Sequence, residues 1–167
     1  LSFFGIMMIF SLTSHTSLEE YGSPFALGLK QLQWLFVGLG GMLFMYMIPL
    51  AFWRKYSGVL WLFALVLLIL TLIPGIGIKA GGARRWLGFG GLRFQPIEML
   101  SLAVAVHLSR LLNTSEKRGL SAFFTVTSPV LFISVLPLLF QPNMGGTILI
   151  FGLVMAIHVN CRGWGWP

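Results

Sequence analysis

The residues of this chain best suited to chemistry lie in one stretch, KAGGARRWLGFGGLRFQPIE, from Lys79 to Glu98. Four cations, Lys79, Arg84, Arg85 and Arg93, sit there between two long apolar segments. A guanidinium forks onto oxyanions through parallel N–H bonds and does not deprotonate, so the chemistry on offer is the holding of an anion. Contact with lipid headgroups, or pairing with Glu98, is the competing use. Gly81, Gly82, Gly88, Gly90 and Gly91 permit close backbone approach to a ligand, and are equally consistent with a plain connection. Glu98 is the only carboxylate within an expected membrane helix. Three residues after Gln95, it falls in the first turn of a helix opened by Pro96, where the dipole favours its ionised form. A charge at the centre of a membrane helix costs at least ~2.5 kcal/mol, which makes such a residue a functional candidate. Glu98 could act as a general base, hold an arginine in place, or cap its helix.

The elements that must position these residues are membrane helices. The chain of 167 residues is 57% hydrophobic and only 9% charged, with mean hydropathy +0.90, far from the roughly 25% charged usage of soluble domains. A helix needs ~20 mostly apolar residues to cross the hydrocarbon layer, and uncharged runs of that order cover 34–53, 56–78 and 119–160. The last run is long enough for two spans, and Gln141-Pro142-Asn143 marks the turn between them. The expected architecture is all-α, a polytopic transmembrane bundle. Its spans are expected near 1–13, 30–52, 57–78, 96–112, 121–140 and 144–160, with an outer loop over 79–95. Residues 1–12 are apolar without an initiator Met or a basic n-region, and read as the rest of a first span rather than a signal peptide. With an abrupt stop at Trp166-Pro167, the chain is expected to be a piece of a longer protein.

Other chemistries find less support. Cys161 is the only cysteine, so neither an intrachain disulfide nor a multi-cysteine metal site is expected. His15, His107 and His158 lie in separate segments without ligand-like spacing. No Walker or dinucleotide pattern occurs, and neither nucleotide nor nucleic acid is among the expected partners. Alternating spans place Arg54, Lys55, Arg110, Lys117, Arg118 and Arg162 on one side, and Lys30, Lys79, Arg84, Arg85 and Arg93 on the other. Positive-inside bias barely decides between them. If the 79–93 cations are kept outside for binding, the first group is cytoplasmic.

Three separated motifs carry a resemblance: Gly82-Ala83-Arg84-Arg85-Trp86-Leu87, Leu92-Arg93-Phe94-Gln95-Pro96-Ile97-Glu98 and Gln141-Pro142-Asn143-Met144-Gly145. In order and spacing they resemble the SEDS family, the FtsW/RodA/SpoVE polymerases of bacterial cell-wall synthesis. Residues 5–11, 21–25 and 30–34 look more like the FtsW branch than the RodA branch. The resemblance implies a ten-span enzyme of the bacterial inner membrane, of which this chain supplies about six spans. Such an enzyme joins lipid II, a polyprenyl-pyrophosphate-linked disaccharide peptide, into glycan strands at the outer face, beside a class B penicillin-binding transpeptidase. The family's strongest catalytic aspartate lies in a later loop, so this piece alone is expected to be inactive.

On this reading pyrophosphate is the leaving group and its growing charge needs stabilising. Arg84, Arg85 and Arg93 form the expected clamp. Arg85 and Trp86 match the family motif, while Arg84 falls at a variable position. Trp86 could stack on a sugar or anchor at the interface. Gln95, Gln141 and Asn143 complete the expected substrate-binding set, and Glu98 is expected to support catalysis by holding an arginine. No cofactor is specified, with room left for a divalent metal. Two positions depart from the family pattern: Ser101 stands where a lysine is usual, and Asn143 where an aspartate is usual. Their charges are opposite, so the net charge near the site is unchanged, and losing both members of a pair strands neither one. A lipid II flippase or transporter is the alternative function, and a non-catalytic scaffold of the division machinery is the third.

Overall fold

The computed structural model describes residues 7–8, 18, 25–80, 83–89 and 92–162. The expected span over 1–13, apart from Met7 and Met8, lies outside the described residues, as do His15, Gly81, Gly82, Gly90 and Gly91. The chain divides into two compact units, Leu1–Pro49 and Leu50–Pro167. The first contains helix α1, Ala26–Met47. Pro49 ends it, because a proline ring disfavours helical geometry at the preceding residue, and Ile48 is accordingly extended, at φ −82° and ψ 123°. The expected span over 30–52 is therefore broken at this proline.

The second unit begins with α2, Leu50–Leu70, followed by strands β1, Gly77–Ala80, β2, Ala83–Phe89, and β3, Leu92–Phe94. Then come α3, Pro96–Thr114, the short α4, Gly119–Ala122, a π-helical turn, Phe123–Thr127, α5, Ser128–Phe140, and α6, Met144–Arg162. Helix α3 is the central element and packs against both α2 and α6. Its buried residues Ile97, Leu100, Val104 and Leu108 recur at spacings of three and four, the period of one helix face. They meet Ala64, Leu65 and Leu68 of α2, Val130 and Leu138 of α5, and Ile150 and Val154 of α6 in one apolar cluster. Outward-facing Phe124, Phe132 and Ile148 are 67%, 67% and 70% exposed, as expected of side chains facing lipid rather than water.

Among the described residues three helical segments are long and apolar enough to cross a membrane, Leu50–Leu70, Gly119–Phe140 and Met144–Cys161. The molecule is thus a multi-pass helical membrane protein. Helix α3 falls short of that apolarity because it carries Glu98, His107 and Arg110.

The loop expected over 79–95 is instead a three-stranded antiparallel sheet in the order β1-β2-β3. Ala80 pairs with Ala83 and Phe89 with Leu92, so each connection is two residues long, Gly81-Gly82 and Gly90-Gly91. Gly-Gly between strands is a strong hairpin signal. Leu87, 2% exposed, anchors the sheet. Gly77 ties it to the end of α2, since a Cβ there would lie 2.0 Å from the Thr71 carbonyl oxygen.

Candidate functional site

A single irregularity in the sheet sets the position of Arg85. Ile78 pairs with Trp86 and Lys79 with Arg84, leaving Arg85 as the additional residue of a β-bulge. Bulges interrupt the ladder and re-aim a side chain. Here the guanidinium crosses to the turn between α5 and α6, and its Nη2 donates to the Pro142 carbonyl at 3.0 Å. The first and third motifs of the sequence therefore meet in space.

That turn is held from beneath by α2. Gln141 is 2% exposed, and its Nε2 donates to the Leu68 carbonyl at 3.2 Å and to Thr71 Oγ1. Thr71 Oγ1 in turn donates to the Leu68 carbonyl at 2.6 Å. On the other side of Pro142, Asn143 Oδ1 accepts the Gly146 N–H at 3.2 Å, the bond of a helix cap to its third residue. An amide oxygen caps as a carboxylate would, so the absence of an aspartate at 143 leaves the start of α6 intact. The turn also sits tightly on α3, because a Cβ at Gly146 would come within 2.1 Å of Ile97 Cδ1.

Two polar atoms in this assembly, Arg85 Nε and Gln141 Oε1, are buried without a hydrogen-bond partner among the described residues. One is a donor and the other an acceptor, and a buried group left unpaired costs about 1–3 kcal/mol. Both atoms are shielded from solvent, so an anion would meet Arg85 through the more open end of its guanidinium, the end that also reaches the Pro142 carbonyl.

Among the described residues, no hydrogen bond joins the side chains of the remaining expected residues Arg84, Trp86, Arg93, Gln95 and Glu98 to this centre. Arg84 is half-buried directly across from Lys79, a like-charge pairing that is unfavourable unless an anion shields it. Trp86 is half-buried opposite Ile78, and Arg93 is exposed opposite Gly88. Gln95 is half-buried at the start of α3 and makes no side-chain cap. Glu98 is exposed in the first helical turn, and among the described residues no ion pair joins it to Arg84, Arg85 or Arg93. Its carbonyl accepts the Ser101 hydroxyl at 2.8 Å, so Ser101 bonds back along its own helix. Among the described residues no three His, Cys, Asp or Glu side chains gather as a metal site.

The supporting role of Thr71 escapes a reading of sequence, since a threonine before a Pro-Gly turn carries no motif. So does a second polar group inside the bundle. Trp61 Nε1 donates to Ser134 Oγ at 3.0 Å, and its ring stacks on His107 at 5.1 Å. Arg110 Nη1 donates to Ser57 Oγ at 3.2 Å, and Thr127 Oγ1 lies 2.8 Å from His158 Nδ1. These polar residues of the spans bond to one another across helices.

Comparison with known proteins identifies the family and the fold. The family model for FtsW, RodA and SpoVE, described as "Cell cycle protein", matches residues 1–166. The "Probable peptidoglycan glycosyltransferase FtsW" of Pseudomonas fluorescens strain SBW25 is 31% identical over 157 residues, covering 92% of this chain and 38% of that protein. The protein of the same description from Saccharophagus degradans is 36% identical over 149 residues, covering 87% and 38%. The chain thus spans less than half the length of these relatives. In fold it is similar to the crystal structure of Thermus thermophilus rod shape determining protein RodA, with a TM-score of 0.74 at 24% identity, over 98% of this chain and 54% of that one.

Proposed function

Because the chain belongs to the FtsW/RodA/SpoVE family, we propose that the protein containing these helices is a peptidoglycan glycosyltransferase that polymerises lipid II in bacterial division or shape maintenance. The observation that carries this reading is the reach of Arg85 across a β-bulge to the Pro142 carbonyl. It builds a fixed guanidinium into a polar recess at the end of the bundle. One nitrogen of the fork is committed to the turn while Nε remains unpaired and buried.

In this reading the recess lies at the outer face of the inner membrane, at the level of the lipid II pyrophosphate. Arg85 holds a diphosphate oxygen, and Arg84 and Arg93 add positive potential beside it. As the anomeric bond breaks, charge grows on that leaving group, and fixed donors aimed at it lower the barrier. Gln141, buried and bonded to Leu68 and Thr71, serves the site by fixing the turn that Arg85 reaches. Asn143 holds the turn in place, and Trp86 offers a flat apolar face. Glu98, free of an arginine partner, is placed as a supporting carboxylate at the rim. The cross-linking partner is a class B penicillin-binding transpeptidase.

The test is to supply labelled lipid II to the full-length protein and its transpeptidase in detergent. Glycan polymer is the expected product, and Arg85→Ala is expected to lower its yield well beyond any loss of membrane-inserted protein. Lipid movement across vesicles without polymer would overturn the assignment in favour of transport. Equal loss of insertion and activity would reduce Arg85 to a folding residue.

A further inference from the structure

The opposite end of the bundle carries a second feature that lipid II polymerisation does not use. A groove of about 450 Å³ opens between α3 and the segment running from the π-helical turn into α5, with Trp61 of α2 at its deep end. His107, Leu111, Val126 and Pro129 line it together with Thr114 and Thr125. From residue 125 to residue 133 it follows the helix for about 12 Å at 1.5 Å per residue. Its lining is mostly apolar, and Thr114 and Ser115 bring one end of it to the connection at 115–118.

The mouth is strongly basic. Lys117 and Arg118 are exposed in the connection that follows Thr114. Arg110 reaches across to Ser57, which brings Arg54 and Lys55, three and two residues before Ser57, to the same end of the α2–α3 pair. Among the described residues, Glu116 is the only acidic one beside these five cations. Basic pockets between membrane helices are suited to anionic lipid headgroups, each nearby cation adding to the attraction.

We propose that this groove is a binding site for an anionic phospholipid, with one acyl chain in the slot and the phosphate held by Lys117 and Arg118 at its mouth. Thr114 and Thr125, whose hydroxyls donate to carbonyls of their own helices, pack alongside the glycerol region. The indole of Trp61 closes the deep end. The site is separate from the recess at Arg85, so anionic lipid would bind whether or not the protein polymerises lipid II.

The experiment uses the full-length protein in phosphatidylcholine vesicles, doped with phosphatidylglycerol or phosphatidylcholine bearing a photoreactive acyl chain, with adducts mapped by mass spectrometry. Adducts within 125–133 several-fold more abundant from phosphatidylglycerol are the expected result. Lys117→Gln with Arg118→Gln, both on an exposed connection, should bring the two probes level. Val126→Trp should remove groove adducts while leaving those elsewhere on the lipid-facing surface. Equal labelling by the two lipids in the unmodified protein would overturn the proposal. So would groove labelling unmoved by Val126→Trp, or the cross-linking of a Thr125→Cys variant to another helix of the same protein in place of lipid.

Discussion

At the scale of single residues, the site depends on side chains whose bonding capacity is divided between structure and ligand. Arg85 binds the Pro142 carbonyl through one nitrogen, and a lysine could supply charge there but not the fork. Arg85→Lys is therefore expected to retain a fraction of the polymerisation of the full-length protein, while Arg85→Ala loses more. A charge-assisted hydrogen bond contributes about 1.5–3 kcal/mol, or roughly ten- to hundredfold in rate if it is made only in the transition state. Turnover with labelled lipid II distinguishes the two variants. Thr71 is a purely structural counterpart. Thr71→Val removes the hydroxyl that receives Gln141 and should destabilise the protein by about 1–3 kcal/mol, whereas Thr71→Ser should keep most of the stability. Thermal midpoints in detergent would show the split. An equal loss from both substitutions would mean that the methyl group, not the hydroxyl, matters at 71.

At the scale of elements, the decisive contact is between the α5–α6 turn and α3. Gly146 faces Ile97 at a distance that leaves no room for a methyl group. Gly146→Ala is expected to cost about 1–3 kcal/mol through overpacking, and Ile97→Val in the same chain should recover part of that loss, as read by thermal unfolding. Most helices were legible because their signals are long apolar runs punctuated by Pro96 and Pro142, whereas the break at Pro49 was passed over and the span over 30–52 was drawn through it. The arginines of the site were legible because four cations between apolar segments demand explanation. The sheet was the part misjudged. Five glycines in 81–91 suggest a pliable loop if counted together, yet as two Gly-Gly pairs flanking Ala83–Phe89 they specify two hairpins. The bulge at Arg85 has no local signature at all, because strand register is decided by pairing with β1 rather than by the residue itself. Glu98 shows the same limit: its helical turn follows from Pro96, while the absence of an arginine partner depends on where the sheet carries its charges.

At the scale of the whole molecule, the sheet and the basic groove occupy opposite ends of the α2–α3 pair, so they belong on opposite sides of the membrane. In a Cys161→Ser background, Gly88→Cys and Lys117→Cys should react with a membrane-impermeant maleimide from different sides, the first from outside. Both positions are exposed, so labelling from the same side would reject the topology. The π-helical turn at Phe123–Thr127 adds a tolerance of another kind. Deleting one codon within it would restore ordinary helical winding, and the pieces before and after it would keep nearly the faces they now present, because the wide turn takes up one residue more than an α-turn of similar rotation. Ala122 on one side and Ser134 and Gln141 on the other would then stay on the buried face. The loss of one residue is therefore more readily absorbed inside this turn than in the straight helices on either side of it, where the same deletion would rotate everything beyond it by about 100°.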